Sequence, residues 1–177
     1  MLITIDPNKK VLLDADVIIH FFKGDKLSIL HTIFPNNQLY ILDFVFNEVL
    51  KGTLRIQVEN LLRFKYLFEL EFEKDPKVRA EYARLKKIFG SGESACMAYC
   101  RYNIDVLASS NLNDIKKYCT ENSIQYITTM DFIYQAYITN VLTESDCDYF
   151  IFNVKSKGSK LPFNKIKDYI SALKPGI

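Results

Sequence analysis

The sequence predicts an α/β protein built on a mainly parallel sheet. Three observations lead there. Short apolar runs of β-type residues alternate with longer segments whose apolar residues recur every three or four positions. Helical segments separate the strands, so neighbours in the sheet must be joined by right-handed crossovers, which makes them parallel. The chain has 177 residues, 49% of them hydrophobic and 25% charged. That is the size and balance of one soluble domain able to bury a core without staples. The sequence has no repeat, low-complexity tract or linker, so 1–177 reads as a single domain, with 143–177 as a C-terminal helical extension packed on it.

Val11-Leu12-Leu13 is a buried strand, and 17–23 a helix with Val17, Ile18, Phe21 and Phe22 on one face. Asp25 offers an N-cap for a helix over 26–34. Pro35-Asn36-Asn37 turns the chain into a second strand, Leu39–Leu42. Helical spacing returns over 45–51 and stops at Gly52, a residue suited to a helix C-terminus. Residues 53–64 form another helix, 66–72 a third strand, and 76–89 a charged, exposed helix. Gly90-Ser91-Gly92 breaks the chain before a small-residue helix over 93–102. A fourth strand at 105–108, a helix at 112–121 and a fifth strand at 124–128 follow. Thr143 and Asp146 have the spacing of a capping box. The helix they open places Cys147, Phe150, Ile151 and Val154 on one face and ends at Gly158. Pro162 starts the last helix, with Ile166, Tyr169, Ile170 and Leu173 at the same spacing.

No apolar leader precedes Asp14 and no run approaches a membrane span, so the reading is a cytoplasmic protein without membrane contact. The four cysteines, Cys96, Cys100, Cys119 and Cys147, then read as reduced, buried thiols. The net charge is +2, which excludes a polycation and limits any nucleic-acid contact to a local patch. Residues 151–177 carry six lysines against one aspartate, a net +5 that leaves −3 on the rest. Lys155, Lys157 and Lys160 are candidates for phosphate contact, with a solvated helix face as the alternative.

Ligands of a parallel sheet bind outside the carboxyl ends of its strands. Asp14 stands at such an end, directly after three apolar residues, with Asp16 two positions on. One of the two can cap the following helix; the other is left unexplained. Glu48 lies among apolar neighbours in the 45–51 helix, and Glu93 opens the helix after Gly92. Each is ordinary alone, as a solvent-facing glutamate or a favourable charge at a helix start. Together they are acids near the starts of helices that follow strands or tight turns, and they can converge on one cleft. Carboxylates converge without mutual repulsion when a hard cation neutralises them, which points to Mg²⁺ or Mn²⁺. His20 and His31 are the two histidines, both in helical patterns, so zinc and Ser-His-Asp chemistry have little material. Neither GxxxxGK[ST] nor GxGxxG occurs, so no nucleotide cofactor is expected.

The segment VLLDADVIIHF, residues 11–21, resembles the opening of PIN-domain nucleases: an apolar strand, an aspartate, a small and a polar residue, then an apolar helix. DFVFNEVLKG (43–52), with Glu48, is similar to the family's second acidic position, and GSGESACMAYC (90–100), with Glu93, to its third. Residues 105–129 resemble the strand–helix–strand that carries the fourth. The likeness runs through most of the chain, and the tail looks like that of a bacterial, toxin–antitoxin-type subgroup. It implies a PIN-like fold, a Rossmann-like three-layer α/β/α sandwich, with a divalent-metal-dependent endoribonuclease activity that hydrolyses RNA phosphodiesters and Asp14, Glu48 and Glu93 as metal ligands. Asp16, Ser110 and Asp114 would orient that site from behind its ligands. One departure stands out. Ser109-Ser110-Asn111 occupies the place where the family has one or two aspartates, so Asn111 fills the fourth catalytic position without charge, unless Asp114 or Asp131 supplies it. The resemblance permits an antitoxin protein and a homodimer as partners beside RNA. Two alternatives stand against it. One is a weakened PIN domain that binds RNA or a protein without cleaving. The other is a haloacid-dehalogenase-type phosphatase, whose Asp-x-Asp start is similar but continues with a polar pair where this chain has Val17-Ile18-Ile19.

Overall fold

The computed structural model describes residues 2–48, 50–72 and 74–173, without the side chain of Glu48. Five strands form one parallel sheet in the order β3-β2-β1-β4-β5. They are β1 (Val11–Leu13), β2 (Leu39–Leu42), β3 (Phe68–Leu70), β4 (Val106–Ala108) and β5 (Tyr126–Ile127). β1 and β4 are buried on both faces, as central parallel strands must be. Their register sets Val11 beside Val106 and Leu13 beside Ala108, so the two strands end level. The helices are α1 (Ala15–Lys23), α2 (Asp43–Glu48), α3 (Gly52–Arg63), α4 (Pro76–Leu85), α5 (Ser91–Asn103), α6 (Leu112–Glu121), α7 (Thr129–Ile138), α8 (Glu144–Ser156) and α9 (Ile166–Leu173). Helices flank the sheet on both faces, giving the expected α/β/α sandwich. Strand order reverses direction between β1 and β4, where the chain crosses from β3 back to the other side of β1. That pair is the topological switch point.

Local chemistry fixes the helix starts. Asp14 caps α1, and Asp75 caps α4 ahead of Pro76. Thr128 with Asp131 and Thr143 with Asp146 form reciprocal capping boxes on α7 and α8. α5 is buried on nearly every side from Glu93 to Cys100, and its small side chains let it lie against β1 and β4. All four cysteines are free and buried. Among the described residues no helix is long and apolar enough to cross a membrane.

Several expectations need correction. Residues 129–138 form α7, a helix that no apolar period announced. Leu27–Thr32 is a 3₁₀ segment rather than the start of an α-helix over 26–34, and Asp25 does not cap it. Asp25 instead adopts a left-handed conformation (φ 57°) and accepts from Lys157 and Asn153. Gly52 opens α3 rather than closing α2. α4 ends at Leu85 and α9 begins at Ile166, both shorter than expected, and β3 and β5 are also clipped.

The 143–173 part of the expected extension shares the core, and residues 174–177 lie outside the described residues. Phe150 of α8 meets Phe21 of α1 with ring centroids 5.1 Å apart, and Phe21 meets Phe132 of α7 at 5.7 Å. Gly24, just past α1, makes this possible: a Cβ there would fall 2.1 Å from Phe150 Cδ2. Its φ of −77° suits alanine, so on backbone entropy alone Gly24→Ala would stabilise by about 0.4–1 kcal/mol. The clash reverses the sign. Overpacking of this kind costs about 1–3 kcal/mol, so thermal melts should show Gly24→Ala clearly destabilised, with Phe150→Leu restoring much of the loss in the double variant. A stabilised Gly24→Ala would mean that α8 does not pack on α1 in this way.

A second device aligns the layer holding α4, α5 and α6. Glu81 on α4 is only 6% exposed. It accepts from Arg84 Nε at 3.0 Å and Nη2 at 2.7 Å, from Arg101 Nη1 of α5 at 2.7 Å, and from the Tyr118 hydroxyl of α6 at 2.7 Å. Hydrogen bonds from Arg84 lead the effects that hold its carboxyl down at about 2. The helix expected to be charged and exposed thus carries a buried ionic anchor for the two helices that present Glu93 and Asp114.

Candidate active site

The site is built at the carboxyl ends of β1 and β4. The Asp14 amide donates to the Ala108 carbonyl at 2.9 Å, tying the two strand ends together. The same residue's carboxylate caps α1 by accepting from the Ala15 amide at 2.7 Å. Asp14 is 5% exposed. Burial pushes its carboxyl up to about 7, the neighbouring Asp16 adds to the rise, and the Ala15 amide and Ser109 hydroxyl pull it back.

Asp16, in the first turn of α1, reaches across to β4. Its Oδ2 accepts from the Ser110 amide at 2.7 Å and the Ser109 hydroxyl at 3.4 Å. Its Oδ1 is buried with no donor. Burial raises its carboxyl too, against those hydrogen bonds.

Glu93 enters from the first turn of α5, 9% exposed, with Oε1 buried and unpartnered. Burial comes first in pushing its carboxyl up to about 8, followed by the charges of Asp14, Asp114 and Asp16. Asp114 is therefore in the cluster. It projects from the first turn of α6, and its Oδ2 accepts from the Asn111 amide nitrogen at 2.6 Å. Asn111, at the start of α6, spends its donor on holding Asp114.

Glu48 closes α2, which packs against α5, but its side chain lies outside the described residues. Asp131, the remaining acid considered for the fourth position, is committed elsewhere. Its Oδ2 accepts from the Thr128 amide and hydroxyl, and its Oδ1 from the Tyr169 hydroxyl at 2.5 Å.

Beneath the acids runs a polar chain that the sequence did not advertise. The Ser110 hydroxyl donates to Thr129 Oγ1 at 2.7 Å and accepts from the Thr129 amide at 2.9 Å. Thr129 Oγ1 lies 2.9 Å from His20 Nδ1. Burial, with Lys23 nearby, pulls His20 down to about 4. It is therefore neutral at physiological pH and serves as a packing partner, as expected of a helix-face histidine. Thr129 is completely buried and fixes Ser110, whose amide fixes Asp16. The one sequence signal for Ser109 and Thr129 was that both stand at strand ends.

The basic segment divides. Lys155 donates to Asn164 at 2.5 Å, and Lys157 bonds the Lys23 carbonyl at 2.7 Å and Asp25 at 3.0 Å. Lys160 lines a cleft that also includes Ser110. An apolar cavity of about 550 Å³ between α1 and α3, with Phe22, Leu61 and Phe64 in its lining, shares no residue with the acidic cluster.

Chemically, the cluster is a set of hard oxygen donors, two of its buried oxygens lacking any donor. An unpaired buried carboxylate is costly, and a hard divalent cation is the partner such oxygens fit. Among the described residues, which leave out the Glu48 side chain, no group of three or more His, Cys, Asp or Glu side chains is arranged to hold a metal ion. No protein-family model matches the chain, and a search of curated proteins gives no significant relative.

Proposed function

We propose that the chain is a ribonuclease that hydrolyses RNA phosphodiesters with a divalent cation, Mg²⁺ or Mn²⁺, held by Asp14, Glu93 and Glu48. The observation that supports this most is the convergence of Asp14, Asp16, Glu93 and Asp114 at the switch point, with Asp16 Oδ1 and Glu93 Oε1 buried and unpartnered. Such an arrangement weakens a fold unless a cation balances it. A bound divalent ion supplies activation of the attacking water and neutralisation of charge on the phosphate. Asp14 holds its position through the Ala15 amide, and Asp16 is oriented by the Ser110 amide rather than aimed at solvent. Asp14 and Glu93, with carboxyls raised to about 7 and 8 in the metal-free chain, must lose their protons before they can hold the cation. Asp114 brings to the site the fourth charge that Asn111 lacks.

The test is cleavage of single-stranded RNA with Mg²⁺, with Mn²⁺ and in excess EDTA. Activity should need the metal and disappear in Asp14→Asn. Asp114→Asn should lower metal-dependent cleavage by about tenfold or more. Asn111→Asp should fail to raise it, because a new carboxylate would face Asp114 where an amide now donates. Cleavage undiminished in EDTA would sink the metal mechanism. RNA binding without cleavage in either metal would assign the chain to the binding-only alternative.

A further inference from the structure

A cleft of about 440 Å³ has Ser110 in its lining, within the range of about 300–1,000 Å³ common for small-molecule sites. Lys116 of α6, Tyr126 of β5, and Lys160 and Phe163 from the segment between α8 and α9 contribute to its walls. Ser110 belongs to both regions: it lines the cleft while its amide holds Asp16. The acid in the lining, Asp131, has both oxygens engaged by Thr128 and Tyr169, which fixes its carboxylate in the wall. Phe163 packs edge-on against Tyr169 with centroids 5.4 Å apart, so its ring is held in place while the side chain stays partly exposed.

The cations at this cleft are available. Lys116 and Lys160 are exposed and form no ion pair among the described residues, whereas the nearby Lys157 and Lys167 are paired with Asp25 and Glu144. Aromatic walls with free ammonium groups, contiguous with a site proposed to act on phosphodiesters, match a nucleobase and its attached phosphate. A base in a duplex is stacked and paired and cannot enter, whereas an unpaired base can.

We propose that this cleft is a subsite for the nucleotide next to the scissile phosphate of single-stranded RNA, its base against Phe163 and Tyr126 and its phosphate near Lys116 and Lys160. The assignment rests on the ribonuclease reading and adds to it a substrate class, unpaired RNA, and the residues that select it.

The test measures binding of fluorescein-labelled single-stranded oligonucleotides of U, A and C to the full chain in EDTA. It also measures KM and kcat for cleavage with Mn²⁺. Lys116→Gln and Lys160→Gln, both at exposed positions, should each weaken binding about three- to tenfold for all three sequences. Each should also reduce the slope of log affinity against log salt by about 0.7. Phe163→Leu keeps the apolar packing but removes the flat ring, and should cost about tenfold in affinity. In cleavage these variants should raise KM far more than they lower kcat, and binding of duplex RNA should not respond to Phe163→Leu. Wild-type affinity and salt slope in the double lysine variant and in Phe163→Leu would overturn the subsite, even where wild-type cleavage upholds the ribonuclease reading. A wild-type chain that neither binds nor cleaves RNA with either metal would overturn both.

Discussion

In chelator at pH 8, Asp14→Asn and Glu93→Gln should each melt at a higher temperature than the wild-type chain, and neither should cleave RNA. Both carboxyls have folded-state values above their ordinary ones, about 7 against 3.8 for Asp14 and about 8 against 4.5 for Glu93. A group raised in this way binds its proton more tightly in the folded chain than in the unfolded one. Its contribution to stability is present below the unfolded value and is lost as pH rises through the folded value. Between about pH 4 and 8 the metal-free protein should therefore lose stability steadily. The size, after allowance for the coupling of the two acids, is on the order of 3 kcal/mol. Each neutral substitution removes one acid from that balance and should flatten the decline. Added Mn²⁺ should raise the melting temperature of the wild type at pH 8 and leave that of Asp14→Asn almost unmoved. A wild type whose metal-free stability is flat from pH 5 to 8 would show that these carboxylates are not under the strain described.

Glu81→Gln should be the most damaging single substitution in the layer formed by α4, α5 and α6, costing about 3–5 kcal/mol. Removing one charge from a buried ionic group carries a cost of that size, and here Arg84, Arg101 and Tyr118 all exchange a shared carboxylate for a neutral amide oxygen. The pH sign is opposite to that of Asp14. Glu81 is depressed to about 2 from 4.5, so its contribution is present above the unfolded value and is lost as pH falls through about 2. Denaturant titration at pH 7 and pH 3 checks both statements. The deficit of Glu81→Gln should be large at pH 7 and smaller at pH 3. An equal deficit at both would mean that the loss comes from packing rather than charge. Because Arg101 lies on α5 and Tyr118 on α6, the variant should also lower metal affinity at the acidic cluster, although Glu81 lies outside it.

Asp14 was legible because a carboxylate directly after three buried residues has few uses besides chemistry and capping, and it serves the second visibly. Glu93 was legible from the small-residue helix behind it, which packs against β1 and β4 as its composition demands. α7 was not legible: Met130, Phe132, Ile133, Tyr134, Gln135 and Ala136 are all buried, so the helix has no polar face to create a period. The burial of Glu81 was not legible, because its partners come from residues 84, 101 and 118, and no local pattern announces such a meeting. Asn111 was read as a neutral replacement for an acid, whereas its amide holds Asp114. That role depends on the first turn of α6 and could not be seen from residue type alone. Lys155, Lys157 and Lys160 looked equivalent in sequence, but two of them are already bonded within the fold.

Calorimetric titration of Mn²⁺ into the chelator-treated chain at several pH values tests most directly whether the acidic cluster is a cation site. Asp14 and Glu93 must give up protons before they can serve as ligands, so binding should release protons and tighten by at least about tenfold from pH 6 to pH 8. Asp14→Asn and Glu93→Gln should abolish it, while Lys155→Gln should leave it unchanged. Mn²⁺ binding that is absent in the wild type, or that survives undiminished and pH-independent in Asp14→Asn, would contradict the metal site and the ribonuclease mechanism built on it.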